Sequence, residues 1–89
     1  MRHLSTVSTA EQRVAVISLD VFRIVEATGA PLTERLVRER IDELAGHPPG
    51  CRRCGGLCEA AARVSAYRVL NQVARWRESI ATANVRGAI

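Results

Sequence analysis

Eighty-nine residues make one small domain, near the size at which a metal staple supplies a useful share of the folding free energy. With one Phe, one Tyr and one Trp, the core has to be built from Val, Leu, Ile and Ala. The net charge of +4 points toward polyanionic partners, while the lack of any long apolar run or opening signal segment argues against a membrane span or an exported disulfide scaffold and for a reducing cytoplasm.

A first helix is expected from Ser8 or Thr9, where Ser8 and Glu11 have the spacing of a capping box. Val14, Ile17, Val21 and Ile24 or Val25 then recur at steps of three and four, with Phe22 alongside, and Gly29 ends the helix. A second helix starts at Thr33. Thr33 can cap it, Glu34 suits the positive end of the helix dipole, and Leu32 with Val37 has the spacing of a hydrophobic staple. Val37, Ile41 and Leu44 form its inner face. Glu34/Arg38, Arg35/Glu39 and Arg38/Asp42 are opposite charges four apart, the pattern of a solvated outer face. Gly46 stops the helix.

His47-Pro48-Pro49-Gly50-Cys51-Arg52-Arg53-Cys54-Gly55-Gly56-Leu57-Cys58 follows at once and holds all three cysteines and one of the two histidines. The spacing His-x3-Cys-x2-Cys-x3-Cys offers four soft or borderline donors, and Cys3His is a standard set for structural Zn(II). Glycines at 50, 55 and 56 allow a tight knuckle around an ion, and Pro48 and Pro49 prevent the second helix from running on. One Zn(II) held by His47, Cys51, Cys54 and Cys58 is the expectation. An iron-sulfur cluster on the same residues, or a metal-free Cys51/Cys54 dithiol with Cys58 in the core, are the other readings. His3 could take the place of His47.

A third helix is expected from Cys58 to about Arg77, with Ala62, Ala66, Val69, Leu70, Val73 and Trp76 turned inward. Its opposite face carries Arg68, Asn71, Gln72 and Arg75, with Arg63 and Ser65 at the edges. Arg, Asn and Gln are the side chains that pair bidentately with guanine and adenine edges in a major groove. The charge is divided to match. Residues 1–50 carry six Arg against seven acids, and residues 51–89 carry seven Arg against two. The second half is therefore the candidate for meeting a polyanion.

The order Pro31-Leu32-Thr33 opening a helix, then a turn, then Val64-Ser65-Ala66-Tyr67-Arg68-Val69-Leu70-Asn71-Gln72-Val73 resembles the second and third helices of bacterial winged helix-turn-helix regulators. In the ferric-uptake type a Ser or Thr precedes a Tyr-Arg-x-Leu segment in the recognition helix. The resemblance covers roughly residues 14–80. It implies that Ser65 stands near the start of a DNA-reading helix and that Tyr67 and Arg68 approach backbone or bases. It also implies a wing, for which residues 79–89 offer Ile80, Thr82 and Val85 as a short strand or else a frayed tail. The metal sensing of the ferric-uptake type is not carried over, because its cysteines lie elsewhere.

His47-x3-Cys51-x2-Cys54 is in turn similar to the motif of zinc-binding anti-sigma factors, small helical proteins that clasp a sigma factor. That likeness implies a sigma factor or RNA polymerase as partner instead of DNA. In that family the remaining cysteine lies upstream on the first helix, whereas no cysteine precedes His47 here. An enzyme is not expected. A zinc deaminase needs His-x-Glu before Pro-Cys-x-x-Cys, and no Asp or Glu occurs at positions 46–57.

The sequence thus predicts an all-α or mainly α domain over residues 1–89, three-helix and winged-helix-like, with a metal-stabilised turn between helices two and three and with 1–7 and 81–89 flexible. The expected function is DNA-binding transcription regulation on double-stranded DNA. Two chains could pair through the first helix to read two half-sites.

Overall fold

The computed structural model of the chain describes residues 9–48 and 51–87. They form four helices, α1 (Thr9–Thr28), α2 (Glu34–Ala45), α3 (Leu57–Ala61) and α4 (Ala66–Gly87), and no strand among the described residues. The fold is mainly α.

Branched apolar side chains at helical spacing give α1 its buried stripe, and Val14, Ile17, Val21 and Val25 are all buried as that spacing requires. Its end is fixed locally. Gly29 adopts φ of 73°, open to a residue without Cβ, and its N–H donates to the Val25 carbonyl at 2.9 Å. The Thr28 hydroxyl adds a bond to the Ile24 carbonyl at 2.8 Å. Ser8, the expected start of the capping box, lies outside the described residues, as do His3, Pro49 and Gly50.

In α2 the expected cap is formed. Thr33 is extended, and its hydroxyl accepts the Leu36 N–H at 3.1 Å. Val37, Ile41 and Leu44 are buried, and Leu32 packs against the same core. Two of the three expected outer pairs exist, Glu34 with Arg38 at 2.8 Å and Arg35 with Glu39 at 3.2 Å. Arg38 turns back to Glu34 and does not reach Asp42. Arg40 instead crosses to α1, gripping Asp20 with two nitrogens at 2.6 and 3.3 Å, and also meets Glu43 at 3.2 Å. Both partners are largely covered, and Asp20 is the first reason the Arg40 pKa is raised. This bridge holds α1 and α2 in register.

Ile17, Val21 and Val25 of α1, Val37, Ile41 and Leu44 of α2, Ala60 and Ala61 of α3, and Val69 and Val73 of α4 make one continuous core. The C-terminal half of α1 lies against the middle of α4. Phe22 meets Trp76 edge to face with centroids 6.1 Å apart, and Arg77 pairs with Glu26 at 3.6 Å.

Two expectations are corrected. The third helix is not continuous, because the chain breaks at residues 62–65 into α3 and α4. Ala62, expected to face inward, is exposed, and Ala66 is only half-buried. Cys58, Ala60 and Ala61 are all buried, so α3 is tied to both the cysteine cluster and the core. A straight continuation from that direction is replaced by a turn, in which the Arg63 N–H donates to the Ala60 carbonyl at 3.2 Å. The second correction concerns the tail. The short strand for Ile80, Thr82 and Val85 is not formed, since α4 continues to Gly87. With no neighbouring strand to pair with, Thr82 bonds its hydroxyl to the Glu78 carbonyl at 2.9 Å, inside the helix. A wing from residues 79–87 is therefore absent.

Candidate metal centre and the exposed face of α4

The cysteine cluster is built by three local devices. Gly46 closes α2 by donating to the Asp42 carbonyl, and the His47 N–H donates to the Leu44 carbonyl at 3.1 Å, which holds the chain close to the helix end. Cys51 and Cys54 then form a knuckle. The N–H groups of Cys54 and Arg53 both donate to the Cys51 sulfur, and these two bonds are the main reason its pKa falls to about 7. Such donors stabilise a thiolate, the form in which cysteine holds a metal. Desolvation, followed by the neighbouring Cys51, raises Cys54 to about 11, so in the protein alone the pair shares its charge unequally. Finally, Gly55 and Gly56 take φ of 57° and 95° in succession, and the Leu57 N–H returns to the Cys54 carbonyl at 3.1 Å. That reversal starts α3 and sets Cys58 beneath the knuckle.

The outcome is a close cluster. One donor atom from each of His47, Cys51, Cys54 and Cys58 lies within 4.8 Å of every other. The Cys51 and Cys54 sulfurs are 3.7 Å apart, and His47 Nδ1 stands 3.8 Å from the first and 2.9 Å from the second. All three cysteines are free thiols. His47, Cys51 and Cys54 are half-buried and Cys58 is buried. Four such donors converging on one point can hold a metal ion, and all four expected ligands take part. The elements they join are the end of α2 and the start of α3.

The residues expected to meet DNA divide into two groups. Arg68, Asn71, Gln72 and Arg75 fall on one face of α4 at steps of three and four, exposed except for the half-buried Gln72. Tyr67 flanks that face, 64% exposed, and Ser65 is exposed just ahead of the helix. Arg63 is not on this face. It sits in the α3–α4 turn and lines a groove of about 500 Å³ together with Gln12, Arg13 and Glu59. Gln12 and Arg13 were not singled out from the sequence. Nothing local marks them, because a groove between α1 and a turn some fifty residues later is a product of the tertiary fold.

No helix among the described residues is long and apolar enough to cross a membrane. No family model matches the chain, and neither the curated proteins nor the solved structures give a match.

Proposed function

We propose that this chain is a small zinc-stabilised transcription regulator that binds double-stranded DNA, with α4 reading the major groove. The observation that carries the reading is how the arginines are used. On α2, Arg35, Arg38 and Arg40 are all tied to carboxylates, and on α4 Arg77 is tied to Glu26 of α1. Arg68 and Arg75 form no ion pair among the described residues, as is also true of Arg13, Arg23, Arg52, Arg53 and Arg63, but only they share an exposed helix face with Asn71 and Gln72. Unpaired guanidinium groups beside amides are what a base-reading helix needs. The four-residue turn between the short α3 and the long α4 also suits a helix-turn-helix, whose second helix enters the groove. In this reading no wing is required.

Zinc is the metal favoured by the donor set. A tetrahedron with Zn–S bonds of about 2.3 Å has edges of about 3.8 Å. The Cys51–Cys54 separation of 3.7 Å suits that figure, and the His47 Nδ1 separations of 3.8 Å from Cys51 and 2.9 Å from Cys54 lie on either side of the about 3.5 Å expected for a sulfur–nitrogen edge. A cluster would spread its ligands over several irons, whereas none of these donors is more than 4.8 Å from another. With four protein donors no position is open for a reacting water, so the metal's role is structural. It would fix the angle between α2 and the α3–α4 pair, and structural zinc contributes on the order of 10 kcal/mol in small metal-folded domains.

The test is fluorescence anisotropy of the zinc-loaded protein against a pool of random duplexes at low and moderate salt. Binding that falls steeply with salt is expected. Absence of binding at low salt would refute the DNA reading and turn attention to a protein partner, with a sigma factor or RNA polymerase as first bait.

A further inference from the structure

The groove between the N-terminal half of α1 and the α3–α4 turn carries chemistry that neither the metal centre nor the face of α4 uses. Arg13 enters it from α1 and Arg63 from the turn, with the Gln12 amide beside them. Arg13 Nε is buried and has no hydrogen-bond partner. A buried N–H without an acceptor is costly, and more so when it belongs to a charged group. Glu59 lines the same groove, yet neither arginine forms an ion pair with it or with any other carboxylate among the described residues. The wall at Gly55 and Gly56 is bare backbone, with no atom within 4 Å of where a Cβ would stand. The groove therefore has two guanidinium groups, an amide and room for a tetrahedral oxyanion, which Arg13 would meet with its terminal nitrogens because its Nε is buried; guanidinium groups match phosphate oxygens in geometry as well as charge.

We infer that this groove seats a phosphate of the DNA backbone, held by Arg13 and Arg63, while α4 reads the adjacent bases. The inference rests on the DNA-binding reading and adds to it a positioning contact from α1. The groove is open to solvent, as a continuous strand requires, and Arg63 stands two residues ahead of Ser65, so groove and reading face adjoin at the start of α4. A duplex whose major groove, about 12 Å wide, received that end of the helix would bring a flanking phosphate to the α3–α4 turn. Such contacts fix register and carry no sequence information. Glu59 lowers the positive charge of the groove and so limits how tightly the phosphate is held.

The experiment is the salt dependence of duplex binding by zinc-loaded wild type, Arg13→Gln, Glu59→Gln and, as a control on α2 outside both the groove and the α4 face, Arg35→Ala. Loss of one phosphate contact should reduce the slope of log K against log salt by about 0.9 in Arg13→Gln, with base preference unchanged. Glu59→Gln should bind about threefold more tightly at low salt, because one repulsive charge near the phosphate is gone. Arg35→Ala should keep the wild-type slope. A wild-type slope in a correctly folded Arg13→Gln would overturn the inference and leave the DNA reading intact, whereas a wild type that binds no duplex would overturn both. If Arg13→Gln fails to fold, Glu59→Gln decides, and unchanged affinity there refutes the inference. Inorganic phosphate or ATP shifting the Arg13 Nε–H resonance as strongly as duplex does would assign the groove to a small phosphate ligand and overturn the backbone assignment.

Discussion

Replacing Cys54 by Ser removes one of four converging donors while changing the covalent skeleton by a single atom. α3 is only five residues long. Isolated helices shorter than about 12 residues are marginal in water, so α3 depends on what holds its ends. The described residues leading into it, 46–48 and 51–56, bury little apolar surface of their own. If free zinc stands a thousandfold above its dissociation constant, binding to the folded chain alone stabilises it by about 4 kcal/mol. In a domain this size each kcal/mol moves Tm by about 4–8 °C, so Cys54→Ser should melt about 16–33 °C lower. The competing effect is lost packing at a half-buried sulfur, worth under about 1 kcal/mol. Thermal melts followed by far-UV circular dichroism separate the two. A chelator should produce the same drop in wild type and little further change in the variant. Native helicity with Tm within about 8 °C of wild type, the most that packing alone accounts for, would refute a structural metal.

Three further outcomes are expected. Thr33→Ala loses the bond from the Leu36 N–H and should cost about 1 kcal/mol in a urea titration, without affecting zinc content. Asp20→Ala strips the largely covered Arg40 of its two-nitrogen partner and should cost about 1.5–3 kcal/mol in the same titration, against under about 0.5 kcal/mol for the exposed pair broken by Glu39→Ala. Arg68→Ala and Arg75→Ala should leave the melting curve unchanged and weaken duplex binding by about 1–3 kcal/mol each if they contact bases; unchanged affinity in both would remove α4 from the interface.

The parts of the fold that were legible in the sequence are those fixed within a few residues. Gly29 and Thr33 mark helix ends through bonds to neighbours three or four positions away, and the steps of three and four name the buried faces of α1 and α2. The His/Cys cluster was equally legible, because twelve consecutive residues contain all of it. The break before α4 was hidden. Ala62, Ala66 and Val69 keep helical spacing straight through it, and alanine does not oppose a helix. A weak sign was present in Val64-Ser65, a β-branched residue before a capping type, although the structure's reason is the anchoring of Cys58, Ala60 and Ala61 on two sides. The tail misled in the opposite way, since Ile80, Thr82 and Val85 favour strands only when another strand accepts them. The Arg40–Asp20 bridge spans twenty residues, and no local pattern announces it.

The central claim is that the zinc-loaded protein meets duplex DNA through the start and outer face of α4. Amide chemical-shift mapping of the isotope-labelled protein during titration with random duplex tests this residue by residue. Shifts should concentrate at Arg63, Ser65, Tyr67, Arg68, Asn71, Gln72 and Arg75, with α2 from Glu34 to Asp42 undisturbed. Shifts centred on α2, or none at low salt in a protein that holds its zinc, would contradict that claim.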